Sequence, residues 1–165
     1  MNNIVDATNY VLIELGHPLH AFDFDKLRGH EIVVRGANGG EQITTLDGKV
    51  RSLNGDTLLI CDRDGPVALA GVMGGADSEI SDASVIVLVE SAYFLPTAVR
   101  RASKAQGLQT EASRRFERGT DVNAVRHALD RVTQLIVELA GGQVARGVID
   151  TQAEPVAEKV IDCRV

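Results

Sequence analysis

The tripeptide Gly16-His17-Pro18 narrows the fold more than any other feature, because it closes a helix and dictates what must follow. Ahead of it, Ile4, Val11, Leu12 and Leu15 recur on one face at helical spacing. The spacing predicts a helix capped by Asn3, with Asp6 three residues on as the acidic half of a capping-box-like pair. Gly16 suits a left-handed C-terminal cap, and Pro18 forbids continuation. Beyond it, His20, Phe22 and Phe24 alternate with Ala21, Asp23 and Asp25, the pattern of a short extended segment. Thr8 and Asn9 are poor choices for a helix interior. Polar groups there, close in sequence to His20, read either as one wall of a site or as a capped helix beside a satisfied core histidine.

The rest of the chain sorts into strands first and helices later. Residues 31–35 predict a strand running into a glycine-rich loop at 36–40. Residues 43–46 and 49–51 flank Asp47-Gly48, a pair that accommodates a type I′ hairpin turn. Residues 56–61 and 67–72 form another predicted pair, leading into Gly71-Val72-Met73-Gly74-Gly75. The apolar run 84–89, ending on Glu90, predicts a central strand buried on both faces. Pro96 opens a helix that stops at Gly107, and a second covers 110–118. Asp121 is placed to cap a third, whose apolar stripe is Val125, Leu129, Val132, Leu135, Ile136 and Leu139. Residues 144–149 predict a last strand. This order defines an α+β class: a mixed, largely antiparallel sheet with helices packed against it, in a single compact domain. At 165 residues the chain is long enough for a substantial core, and with no Trp that core must rest on Val, Leu, Ile and Ala.

Charge and cysteine content exclude several classes. A net charge of −6 argues against unaided tight binding to a nucleic-acid backbone. Basic residues nevertheless gather once, as Arg100, Arg101, Lys104, Arg114, Arg115 and Arg118 against Glu111 and Glu117. Such helices suit a few phosphates of a nucleic-acid end, or a solvated, salt-bridged pair. Cys61 and Cys163 have no ligand-like spacing, which predicts reduced structural thiols of a cytoplasmic protein. No apolar run reaches membrane-spanning length, so no membrane partner is expected.

Familiar catalytic arrangements are missing. His17 and His20 straddle a proline and no cysteine pair is spaced for zinc, so no metal is expected. The 71–75 glycine run lacks the lysine of a phosphate loop, and no serine sits in a nucleophile elbow. Its glycines, flanked by Ala70 and Ala76, let backbone amides approach a ligand or simply make a tight bend. His20 and Glu90 remain as the oddly placed ionisable groups, since a carboxylate among aliphatics costs free energy unless it has partners or a purpose.

Four segments, taken together, resemble one family. They are residues 3–10 (Asn-Ile-Val-Asp-Ala-Thr-Asn-Tyr), 16–23 (Gly-His-Pro-Leu-His-Ala-Phe-Asp), 70–75 (Ala-Gly-Val-Met-Gly-Gly) and 110–119 around Arg115-Phe116-Glu117-Arg118-Gly119. In this order they resemble the editing module of bacterial phenylalanyl-tRNA synthetase β subunits, over residues 2–149. The resemblance implies an editing domain over 1–151, with 152–165 as a linker toward a following domain. It implies hydrolysis of tyrosine wrongly attached to tRNA(Phe). Thr8, Asn9 and His20 would line the pocket around the ester and terminal ribose, beside Pro18. Ala70, Gly71 and Gly74 would form its backbone wall, Ala112 its floor, and Glu90 would meet the tyrosine hydroxyl. No cofactor is implied for editing, ATP and Mg²⁺ belonging to an aminoacylation site elsewhere. The implied partners are the tyrosine-carrying 3′ end of tRNA(Phe), the α subunit and the remaining β-subunit domains. Two rival readings stay open: a non-catalytic, tRNA-guiding module, and a free-standing deacylase of different amino-acid preference.

Overall fold

Helix α1 spans Asn3–Leu15 and ends as Gly16 turns left-handed at φ 71°, its N–H returning to the Leu12 carbonyl at 3.0 Å. These details come from a computed structural model describing residues 2–152, 156 and 160–163. Most of the expected linker, 152–165, therefore lies outside the described residues. The cap falls one residue earlier than expected: Asn2, not Asn3, accepts the Ile4 N–H at 2.9 Å. Asn3 is already helical, and its amide instead donates to the Leu139 carbonyl at 3.3 Å.

Past Pro18 the chain enters β1, Leu19–Asp23, while Phe24 falls in a short 3-10 turn rather than in the strand. Six strands follow: β2 Val33–Gly36, β3 Gln42–Thr44, β4 Val50–Ser52, β5 Leu58–Cys61, β6 Pro66–Leu69 and β7 Met73–Gly74. The chain then reaches β8, Val87–Ser91, and three helices: α2 Pro96–Gln106, α3 Glu111–Phe116 and α4 Ala124–Ala140. Three antiparallel sheets result: the ribbon β1–β8, the sheet β2-β5-β6-β7 and the hairpin β3–β4. The α+β class is as expected, and every described strand pair is antiparallel.

The ribbon divides the core. Leu19, Ala21, Val87 and Val89 face α1 and α4, packing with Ile4, Ala7, Val11, Ala128 and Val132. Phe22 and Leu88, on the other face, join the main core with Leu59, Leu69, Phe94, Val99 and Phe116. The Phe94 and Phe116 rings meet edge to face at 5.0 Å, an arrangement that suits their quadrupoles.

Five further expectations are corrected. β8 is not a central strand buried on both faces: among the described strands it pairs only with β1, and Val85 at its approach is 84% exposed. The run is aliphatic because its ends and alternate residues face different surroundings, which composition alone does not reveal. β6 stops at Leu69 rather than running to 72, because Gly71 takes φ 69° and reverses the chain. The 43–51 hairpin turns through Leu46, Asp47 and left-handed Gly48, a three-residue loop in place of the two-residue turn. Residues 144–149 form no strand; Gly147 interrupts them at φ 87°, and Ile149 is 94% exposed. Asp121 also caps differently, accepting the Asn123 N–H at 2.9 Å ahead of α4.

Candidate functional site

The β1–β8 register sets His20 directly opposite Glu90 and Leu19 opposite Ser91. Side chains alternate along a strand, so His20 and Glu90 share the face turned away from α1 and α4. There the His20 ring meets Phe22 edge to face at 4.5 Å. His20 Nε2 and Glu90 Oε2 are both sealed from solvent and without a hydrogen-bond partner. Two unpartnered, sealed polar atoms on opposed residues are rare in a folded interior and single out this pair as a candidate site.

The glycine run supplies the surface against which His20 lies. A Cβ on Gly74 would stand 2.6 Å from His20 Cε1 and 2.8 Å from Nε2. Only a residue without a side chain permits that approach, so the requirement for glycine is steric. Gly71 is required twice over: its φ is 69°, and a Cβ there would meet Phe94 at 2.9 Å and Val99 at 3.0 Å. Ala70 is buried and Ala112 half-buried against the same core. Pro18 is buried.

Not every expected site residue converges. Thr8 is buried on α1, which covers the opposite face of the ribbon, and its hydroxyl donates to the Val5 carbonyl at 2.8 Å. Asn9 is exposed on that helix. Among the described residues no hydrogen bond joins either of them to His20 or Glu90. The structure therefore brings together His20, Glu90 and Gly74, places Ala70, Gly71 and Ala112 in the adjoining core, and leaves Thr8 and Asn9 on the neighbouring helix.

Burial sets the protonation of the pair. It pushes the Glu90 carboxyl up to about 7 and the His20 imidazole down to about 4. Near neutrality the site holds an uncharged imidazole facing a carboxyl poised between its two states. Such a pair can accept from, or donate to, an entering hydroxyl without first shedding a full hydration shell.

A second buried histidine lies one bend earlier. His17 is 1% exposed, with Nε2 3.2 Å from Ser91 Oγ. Ser91 Oγ donates its own hydrogen to the Val125 carbonyl at 2.7 Å. Nothing in the spacing points to Ser91 or to this contact, whose partners are 74 residues apart.

Residues 1–141 match the model of the B3/4 domain, and the chain belongs to that family. It is 61% identical over 164 residues to the phenylalanine–tRNA ligase beta subunit of Anaeromyxobacter dehalogenans, covering 99% of this chain and 20% of that one. It is 56% identical over 165 residues to the corresponding subunit of Geobacter sulfurreducens, covering 100% of this chain and 21% of the relative. The phenylalanine–tRNA ligase beta subunit of Protochlamydia amoebophila is 52% identical over the same length. The chain thus spans about a fifth of the length of the curated relatives it matches. None of its described helices is long and apolar enough to cross a membrane.

Proposed function

We infer that this B3/4 domain works within a phenylalanine–tRNA ligase β subunit, together with an α subunit, and hydrolyses tyrosine wrongly esterified to tRNA(Phe). The observation that carries this reading is the opposition of His20 and Glu90, each with an unsatisfied, sealed polar atom, over the bare backbone of Gly74. A site that selects tyrosine over phenylalanine needs a buried partner for one phenolic hydroxyl. Phenylalanine would leave that partner stranded, a difference able to give discrimination on the order of 10⁴. Glu90 is such a partner.

The ester is already activated, so no covalent nucleophile is needed. Water adds to the ester carbonyl carbon and the bond to the ribose oxygen breaks. One of the water's protons ends on that oxygen, and the other is released to solvent as tyrosine departs as its carboxylate. His20, uncharged at neutral pH, positions the water or the ribose hydroxyl. Within the 71–75 bend the Val72 and Gly75 amides are spent on the Leu69 and Val67 carbonyls, so the other amides of the bend are the ones to face the developing oxyanion. No metal or cofactor enters these steps.

Incubating the chain in excess with Tyr-tRNA(Phe), Phe-tRNA(Phe) and a mismatched aminoacyl-tRNA, while following ester loss, tests the proposal. Selective loss of the tyrosyl ester supports it, and His20→Ala is expected to slow that loss by about a hundredfold or more. A module that only guides tRNA would leave all three esters intact.

A further inference from the structure

A cavity of about 310 Å³ opens between the end of α1 and the start of α4, away from the His20–Glu90 pair. Its lining includes His17, Arg114, Arg115, Arg118, Thr120 and Asp121. Two buried polar atoms of this lining, His17 Nδ1 and Thr120 Oγ1, have no hydrogen-bond partner. The hydroxyl hydrogen of Ser91 is committed to the Val125 carbonyl, so the Ser91 oxygen must accept from His17 Nε2–H. That fixes the tautomer and leaves Nδ1 without its proton; burial opposes protonation there, while the Asp121 carboxylate and the Ala92 carbonyl favour it. His17 itself lines the cavity, and Ser91 holds the Nε2 side of its ring.

The charges of the lining are mixed, and the carboxylate that acts on His17 is that of Asp121. Arg115 and Arg114 share the Glu111 carboxylate, at 2.6 and 3.5 Å respectively. Arg118 is exposed and makes no ion pair among the described residues. Asp121 is the single carboxylate of the lining, set against three guanidinium groups. The first residue of α4, Ala124, also lines the cavity and adds the positive end of a seventeen-residue helix.

We propose that this cavity is a phosphate site. It takes one phosphate group, held outside by the guanidinium of Arg118 and inside by the Thr120 hydroxyl and a proton on His17 Nδ1. A phosphodiester carries no hydrogen of its own, so its binding draws that proton onto Nδ1, and His17 becomes doubly protonated while Nε2–H stays on Ser91. A free phosphate anion can instead donate its P–OH to Nδ1. The two sources therefore leave different signatures on one ring. The site stands apart from the editing reading, and it survives if that reading fails.

The test is ring-nitrogen NMR of the ¹⁵N-labelled chain at neutral pH, titrated with inorganic phosphate and, separately, with a single-stranded oligoribonucleotide lacking terminal phosphates. Saturable movement of the His17 Nδ1 resonance with either probe supports the site, and the protonated signature with the oligonucleotide identifies the strand as its source. Arg118→Ala, an exposed change that leaves the core untouched, is expected to weaken the responding probe about tenfold, and Thr120→Val to weaken it less. A His17 resonance unmoved by both probes overturns the proposal. So does an affinity unchanged in Arg118→Ala.

Discussion

His17 and His20 are separated by three positions and answer to the same strand, yet they have become chemically different groups. His17 lies against Ser91, whose oxygen accepts from Nε2 and locks the tautomer. His20 lies against Glu90, which offers no hydrogen bond, and its Nε2 has none from any other described residue. Burial lowers the proton affinity of both rings, but at His17 the Asp121 carboxylate and the Ala92 backbone carbonyl pull the other way. Nothing comparable offsets burial at His20. What an imidazole can do is decided here by the residue one strand over, and a shift of one position along β8 exchanges a hydroxyl for an acid.

The widest contrast is expected from Glu90→Ala. If the acid near His20 reads the phenolic hydroxyl, this change should shrink the tyrosine-over-phenylalanine deacylation ratio by about tenfold or more. A preserved ratio in the ester-loss assay would remove Glu90 from selectivity.

The pH dependence of stability comes next. The Glu90 carboxyl moves from an ordinary 4.5 to about 7 on folding, a change worth roughly 3 kcal/mol. Between those values the folded chain holds the extra proton, so stability falls as pH rises. The His20 imidazole moves from 6.5 to about 4, and between those values the unfolded chain holds the extra proton. Its contribution therefore rises with pH, and the two slopes offset one another between about pH 4.5 and 6.5. Glu90→Gln should unmask the rising His20 slope in urea denaturation across that range. A flat profile in the variant would contradict the burial of His20.

Ser91→Ala sharpens the other side. It strands His17 Nε2–H and should cost about 2 kcal/mol, while ring ¹⁵N shifts report a mixed tautomer population. The His20 resonances should stay where they are. The smallest effect belongs to Gly16→Ala, at a left-handed bend with open space around it. Only backbone strain opposes that change, so a loss of about 1 kcal/mol in thermal or urea unfolding is expected, with both rings unchanged.

Local chemistry was legible where it was self-contained. The end of α1 could be read from Gly16 and Pro18 because a left-handed cap and a missing N–H act on their own neighbours. The start was displaced by one residue because Asn2 and Asn3 are equally able to cap, and only the Asn3 contact with Leu139 separates them. Glu90 was conspicuous as an acid after aliphatics, but its opposition to His20 is a matter of register between strands far apart in the chain. The same holds for the apolar run before it: Val85 and Ile86 are aliphatic and largely exposed, because among the described strands β8 has a neighbour on one side only. The aliphatics of 144–149 misled for a related reason, since a strand needs a partner as well as a pattern.

The ribbon that carries the histidines also orders the assembly of the molecule. β1 and β8 bracket six other strands, and α1 meets α4 only after more than a hundred residues of chain have been made. Closing so long a loop is slow and entropically unfavourable, so the inner sheet and its hairpin can form while the two ends are still apart. The His20–Glu90 site then comes together with the final closure. By the same logic it is the first region to open when the native chain breathes, and a polypeptide released before Ser91 would carry both imidazoles with nothing to face them.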